Sequence, residues 1–139
     1  METEIQNIIN SIKKRDIRTK EEIKQINYNA VIEAYKSYLK FSQNRENLAE
    51  TLKKLDEYEF IDYEHLRHGD YIRYIDKKYF FNMKLHSGGK IIKLKDDKLL
   101  MLTIQRRFEW ITYDNYIFKK LSEEDNAKMK LIELIGDNL

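Results

Sequence analysis

The spacing of the apolar residues changes near Leu66, and this change constrains the fold more than any other feature. Before that point apolar residues recur every three to four positions, which is the spacing of an amphipathic helix. From there to residue 119, short runs of β-branched and aromatic residues follow a period of about two, which is typical of half-buried strands. We therefore expect a helical first half followed by a region of short strands.

The first half is predicted to form three helices, over residues 3–14, 20–41 and 42–58. Thr19 and Glu22 have the spacing of a capping box, which marks the start of the second helix. The first helix carries an apolar stripe that either packs against the rest of this chain or contacts a partner protein. The residues of this stripe are Ile5, Ile8, Ile9 and Ile12.

The second half contains six segments of strand length, which are Tyr71–Ile75, Lys78–Leu85, Lys90–Lys95, Leu99–Ile104, Phe108–Tyr113 and Asn115–Phe118. The sequence Ser87-Gly88-Gly89 is predicted to be a hairpin turn, because glycine accepts positive φ at little cost. Many short strands in so few residues predict an SH3-like antiparallel barrel, a form that leaves few free edges. A last helix is expected to follow Ser122 and to end at Gly136.

The predicted fold class is therefore α+β, in a chain of one compact unit with three regions. These are a helical region over residues 1–60, a small β-barrel over 61–120, and a C-terminal helix packed on the barrel over 121–139. The chain has no Cys, which excludes disulfides and thiolate metal sites. The acidic start and the short apolar runs indicate neither a signal peptide nor a membrane span, so we expect an intracellular protein.

Catalytic motifs are absent from the sequence, and we do not expect an enzyme or a cofactor. There is no phosphate-binding loop, no nucleophile elbow and no His-Glu-x-x-His motif. One polar cluster has residue types that bind metals, and a small metal-dependent enzyme is accordingly a third hypothesis. The simpler interpretation makes this cluster a polar connector into the first long strand. Its residues are Asp62, His65, His68 and Asp70.

Positive charge is concentrated in residues 61–120, which hold 13 Lys and Arg against 8 Asp and Glu. Basic side chains there are interleaved with aromatic ones, a combination that can join phosphate contacts to base stacking. The candidate phosphate ligands are Arg73, Lys90, Lys93, Arg106 and Arg107, and the candidate stacking residues are Tyr71 and Tyr74. The simpler interpretation makes the lysines a solvated outer face and assigns to the core Ile72, Ile91, Leu100, Leu102 and Trp110.

A Gly-Asp-x-Ile-Arg-Tyr opening, a Gly-Gly pair, an apolar strand and a Trp-containing strand follow one another in residues 69–111. The residues of this pattern are Gly69, Asp70, Ile72, Arg73, Tyr74, Gly88, Gly89, Leu100, Leu102 and Trp110. In this pattern the chain resembles small proteins encoded by large nucleocytoplasmic DNA viruses, the giant-virus group. It departs from them after the Trp, where Ile111-Thr112-Tyr113 replaces the usual Ser or Cys, Val and Gln. The resemblance implies a non-enzymatic component of the particle or the virus factory.

The leading functional hypothesis is a non-catalytic structural or adaptor protein that makes protein–protein contacts, as a minor virion component of a large DNA virus. Its expected partners are viral structural or assembly proteins, and its expected location is the virion or the host cytoplasm. The second hypothesis is an accessory nucleic-acid-binding protein that uses the basic, aromatic-rich barrel. Neither hypothesis involves a membrane.

Overall fold

The computed structural model describes residues 19–36, 47–76 and 84–136, together with the isolated helical positions Thr3 and Gln6. The helices in these ranges are α1 (Lys20–Lys36), α2 (Asn47–Lys54) and α3 (Glu123–Gly136). The strands are β1 (Tyr58–Phe60), β2 (Tyr71–Ile75), β3 (Leu85–Leu94), β4 (Lys98–Thr103), β5 (Phe108–Thr112) and β6 (Tyr116–Lys120). A 3-10 helix, Tyr63–His65, lies between β1 and β2.

The six strands form one antiparallel sheet in the order β1-β6-β2-β3-β4-β5. Strands β2 to β5 form a meander, and β6 returns to lie between β1 and β2. The α+β class, with helices before and after the strands, is confirmed. The closed SH3-like barrel is not confirmed, since over the described residues the sheet is open and has β1 and β5 as its edges.

The sheet packs apolar side chains on both of its faces. The helix cluster joins α1 and α2 to one face, and its buried residues are Ala30, Val31, Ala34, Tyr35, Leu55, Ile75, Leu85 and Phe118. The sheet cluster lies on the opposite face and consists of Leu66, Ile72, Tyr74, Ile91, Leu99, Met101, Ile111 and Ile117. Successive strand residues point to opposite faces, which is why Tyr74 and Ile75 belong to different clusters. No residue of β4 or β5 is among the buried members of the helix cluster.

A buried polar side chain, Asn27, ties α1 to β1. Its Nδ2 group donates hydrogen bonds to the carbonyl oxygens of Tyr58 at 2.8 Å and Leu55 at 3.4 Å. Its Oδ1 atom accepts the backbone N–H of Phe60 at 2.8 Å. Because an unpaired buried amide would be costly, these bonds fix the position of β1 against the helix.

The two helix starts that the sequence predicts within the described ranges have the expected caps. At α1, the Thr19 Oγ1 atom accepts the Glu22 N–H at 3.1 Å. At α3, the Ser122 Oγ atom accepts the Asp125 N–H at 3.0 Å, and the Asp125 carboxylate accepts the Ser122 N–H at 3.1 Å. These reciprocal bonds satisfy donors that a helix start otherwise leaves unpaired.

The predicted end of the third helix is wrong. Helix α2 ends at Lys54, and Tyr58–Phe60 form a strand that pairs with β6 and bonds to Asn27. Tertiary contacts therefore decide the structure of this segment. Apart from Thr3 and Gln6, the predicted first helix lies outside the described residues, and so does its stripe of Ile5, Ile8, Ile9 and Ile12. The same holds for residues 37–46 and for most of the predicted strand Lys78–Leu85.

The predicted turn at Ser87-Gly88-Gly89 is also wrong, because all three residues lie inside β3. A Cβ atom on Gly88 would overlap the carbonyl oxygen of Ile72, and one on Gly89 would overlap that of Leu102. Gly88 in addition has a φ of 67°. The glycines are needed here for the close approach of β3 to β2 and β4, beside an irregularity in the β2–β3 register.

Candidate functional site

Two rows of side chains cross the sheet on the face opposite the sheet cluster. The first row runs from β2 to β5 through Tyr71, Lys90, Leu102 and Phe108. The second row runs from β3 to β5 through Lys93, Leu100 and Trp110. Since residues directly opposite one another share a face, these seven side chains form one surface, here called the aromatic–lysine face.

Three aromatic rings of this face are exposed to solvent. Tyr71 is 51% exposed, Phe108 is 65% exposed and Trp110 is 44% exposed. Lys90 and Lys93 are exposed beside them, and Leu100 and Leu102 are half-buried between the rows. The surface therefore offers large aromatic rings separated by cationic and aliphatic side chains.

The prediction that Trp110 belongs to the core is wrong. Ile111 takes the core position on β5 opposite Leu99, so strand alternation puts Trp110 on the other face. Leu100 and Leu102 share that face and are only half-buried. The same prediction is confirmed for Ile72 and Ile91, which are fully enclosed in the sheet cluster.

Two lysines from the β3–β4 hairpin lie close to the Trp110 ring. The Lys95 Nζ atom is 4.9 Å from the ring centroid, and the Lys98 Nζ atom is 4.8 Å from it. A cation held over an indole contributes about 0.5–1 kcal/mol at an exposed site. The hairpin is closed by the Lys95 N–H, which donates to the Lys98 carbonyl at 2.9 Å. Trp110 thus has two cationic groups close to its ring.

The predicted phosphate ligands are only partly brought together. Lys90 and Lys93 belong to the aromatic–lysine face, and Arg106 and Arg107 lie exposed in the turn that leads into Phe108. That turn is held by Thr103, whose backbone carbonyl and Oγ1 atom accept the N–H groups of Arg106 and Arg107. Arg106 has a φ of 61° there.

Arg73 differs from the other predicted ligands because its guanidinium already has partners within the protein. Its Nε group donates to the His86 carbonyl oxygen at 3.3 Å. Its Cζ atom lies 6.0 Å from the centroid of the Tyr58 ring. Arg73 therefore sits at the border between the aromatic–lysine face and β1.

Tyr74 is not placed where it could stack on a base. It is buried in the sheet cluster, and its ring stacks on that of His86 with centroids 4.4 Å apart. Burial lowers the pKa of His86, an effect that Lys84 reinforces and that Asp76 and Glu109 oppose. Of the two predicted stacking residues, only Tyr71 is exposed.

A second aromatic group lies beyond the β3–β4 hairpin. The rings of Tyr63 and Tyr113 stack with centroids 4.7 Å apart and an interplanar angle of 14°. The Tyr113 hydroxyl donates to the Lys95 carbonyl oxygen at 2.6 Å. Burial raises the pKa of Tyr113 above its usual value, so the hydroxyl stays protonated and able to donate to a higher pH than a free tyrosine.

Sequence reasoning did not select four residues as site residues, namely Phe108 and Trp110 on this face and Lys95 and Lys98 beside it. A signal was present, since Lys95 and Lys98 are the ends of a four-residue turn and Trp110 alternates with Ile111. That alternation left open which of the two residues faces the core. Only the pairing of β4 with β5 decides it.

The polar connector shows no metal site in the part of the chain that the structure describes. No group of three or more His, Cys, Asp or Glu side chains could hold an ion there. The Asp70 carboxylate instead accepts the backbone N–H of Arg67 at 2.8 Å. Over the same ranges, no helix is both long and apolar enough to cross a membrane.

The chain matches no protein-family model, no curated protein and no solved structure. The resemblance to giant-virus proteins therefore stays a prediction.

Proposed function

We propose that this protein is a non-enzymatic protein that binds single-stranded nucleic acid on its aromatic–lysine face. The observation that carries the proposal is the exposed Trp110 ring with the ammonium groups of Lys95 and Lys98 less than 5 Å from its centroid. An exposed aromatic ring can stack on any base, while neighbouring cations neutralise phosphates. The geometry thus favours the nucleic-acid hypothesis over the adaptor hypothesis.

The charges of the face fit a polyanion. Its side chains that are charged at neutral pH are Lys90 and Lys93, and the residues next to it along the chain add Lys95, Lys98, Arg106 and Arg107. Asp96 and Asp97 lie at the hairpin tip, and Glu109 belongs to the opposite face of β5. The cations consequently surround the exposed rings, and the acidic groups lie at their margin.

The shape of the face favours a single strand over a duplex. Four strands at a spacing of about 4.8 Å make a platform about 14 Å wide, which is broader than the roughly 12 Å major groove of B-DNA. A duplex also keeps its bases stacked on one another, so their faces are not available to Tyr71, Phe108 or Trp110. An unpaired strand can turn its bases onto these rings, and each stacked base contributes about 1–3 kcal/mol.

The test is a binding titration of labelled (dT)12 by fluorescence anisotropy at several salt concentrations. We expect affinity that falls steeply with salt and weaker binding of a duplex of equal length. Replacing both Lys95→Ala and Lys98→Ala should reduce the magnitude of the salt slope by about 1.4, because each phosphate contact to a single strand contributes about 0.7. Arg106→Ala with Arg107→Ala should reduce it similarly.

The matched control removes the same charge from a distant surface, as Lys53→Ala with Lys54→Ala on α2, where both side chains are exposed. This control should retain the slope of the wild type. The proposal is wrong if (dT)12 does not bind at low salt. It is also wrong if the Lys95→Ala/Lys98→Ala variant has the same salt slope as the Lys53→Ala/Lys54→Ala control.

As a second function we propose the structural or adaptor role, in a virion or in the host cytoplasm. The exposed apolar side chains of Ile104 in the β4–β5 turn and Leu134 on α3 support it, since each offers a protein partner a hydrophobic contact. An SH3-like arrangement of β2 to β6 belongs to this proposal, supported by the return of β6 beside β2. Quantitative mass spectrometry of purified particles tests the role, and absence of the chain from them would refute it.

A further inference from the structure

We propose that Tyr63 is a second stacking position, reached by the same nucleic-acid strand after it passes Trp110. The inference rests on the function proposed above and extends it beyond the sheet. It assigns a ligand-binding role to the connector between β1 and β2, where the sequence indicated only a polar loop or a metal site. The bound strand then follows β5 and crosses the end of the β3–β4 hairpin.

The two rings lie on opposite faces of the sheet, since Trp110 is on the aromatic–lysine face and Tyr113 packs against the sheet cluster, and contacts at the end of the β3–β4 hairpin connect them. The Lys95 side chain reaches the Trp110 ring, with its Nζ atom 4.9 Å from the centroid. The backbone carbonyl of the same lysine accepts the Tyr113 hydroxyl, and Tyr113 stacks on Tyr63. One cationic residue therefore lies between the two aromatic positions, where a bridging phosphate would lie.

Tyr63 is arranged as a platform and not as a core residue. It is 48% exposed, although the Tyr113 ring supports it at 4.7 Å with only 14° between the planes. Tyr113 itself is fixed by its hydroxyl and by packing against the sheet cluster. A ring held in this way loses little conformational entropy when a base stacks on it.

Charges of both signs lie near Tyr63. Lys95 is exposed, and its carbonyl oxygen accepts the Tyr113 hydroxyl, so its ammonium group can neutralise a phosphate that passes from Trp110 to Tyr63. Asp62 and Glu64 are exposed on either side of Tyr63 in the chain, and Asp96 and Asp97 act on Tyr113, so binding at Tyr63 depends on stacking more than on charge.

The arrangement predicts a dependence on strand length. Trp110 and Tyr63 are separated by the Lys95 side chain and the Tyr113 ring, so adjacent nucleotides cannot occupy both positions. A dinucleotide can use only one of them, whereas (dT)12 can span both. Loss of the Tyr63 ring should consequently weaken the binding of long strands more than that of short ones.

The experiment compares Tyr63→Leu with the wild type on (dT)2 and (dT)12 at low salt. Leucine keeps an apolar cover on Tyr113 but has no ring for stacking. We expect the affinity for (dT)12 to fall by about 5- to 150-fold, which is the loss of one base stack of about 1–3 kcal/mol. Tyr63→Phe, which keeps the ring, should bind (dT)12 as the wild type does.

The matched control is Tyr28→Leu, because Tyr28 is also a half-exposed tyrosine, at 45%, but lies on α1. If Tyr63→Leu binds (dT)12 no more weakly than Tyr28→Leu does, or loses as much affinity for (dT)2 as for (dT)12, the second position is refuted. Trp110→Leu separates this result from a failure of the proposed function. If that variant binds like the wild type, or if the wild type does not bind, the proposed function itself is wrong.

Discussion

Asn27 is the residue on which the junction between α1 and the sheet depends most directly. Asn27→Ala removes its bonds to Leu55, Tyr58 and Phe60, of which Leu55 keeps the Tyr58 N–H as a donor. We expect the free energy of unfolding to fall by about 2–4 kcal/mol, measured by urea denaturation. Asn29→Ala, at an exposed position on the same helix, should change it by less than about 0.5 kcal/mol. Equal effects of the two variants would contradict this role of Asn27.

His86 gives the fold a pH dependence at the residue scale. Burial lowers its pKa below the usual 6.5, so the folded protein holds the ring neutral where the unfolded chain binds a proton. Its contribution to stability is therefore complete above pH 6.5 and is lost as the pH falls from there to the lowered pKa. The Nε2 atom is buried and has no hydrogen-bond partner among the described residues.

His86→Phe keeps a ring against Tyr74 but removes the titrating group. We expect its unfolding free energy, relative to the wild type, to be higher at pH 5 than at pH 7.5. Urea denaturation at the two pH values measures this difference. Asn29→Ala, which is exposed on α1 and removes no titratable group, is the control and should show no such difference. If His86→Phe changes the unfolding free energy equally at the two pH values, the pKa of His86 does not differ between the folded and unfolded states.

At the scale of the element, β5 is an edge strand, and its charged residue Glu109 disfavours self-association. Glu109 lies opposite Met101, on the face of the sheet cluster, and is exposed at the sheet edge. A charge on the inner side of an edge strand disfavours pairing with a second chain. Glu109→Val should therefore increase concentration-dependent association in sedimentation velocity, relative to the wild type. Glu64→Val, at an exposed position outside the sheet, should not, and equal behaviour of the two variants would refute the idea.

At the scale of the whole molecule, the helix cluster makes one cooperative unit of helices and sheet. It contains residues of α1 as well as of β2, β3 and β6. Val31→Ala in α1 should lower the unfolding free energy by about 2 kcal/mol. The decrease in unfolding free energy should be the same whether unfolding is followed by circular dichroism, which reports on the helices, or by the fluorescence of Trp110 in β5. Separate transitions for the two signals would instead show that the helices and the sheet unfold independently.

The sequence by itself determined where α1 and α3 begin and that β2, β4 and β5 are extended. The caps at Thr19 and Ser122 and the strand character of β2, β4 and β5 follow from neighbouring residues, and such interactions are encoded locally. It also located the basic, aromatic-rich region, and with it Lys90, Arg106 and the exposed ring of Tyr71. These features could be predicted because they depend on residue type and short spacing.

Only the tertiary structure decided which side of each strand the core occupies and where the helices lie. A period of two does not show which of Trp110 and Ile111 faces the core. The pairing of β4 with β5 places Ile111 in the core and leaves Trp110 exposed to solvent. Likewise Tyr58–Phe60 became a strand because β6 and Asn27 supply its partners, and Gly88 is required by the close approach of β2. The physical reason is common to these cases, since each outcome depends on contacts between residues that are distant in the chain.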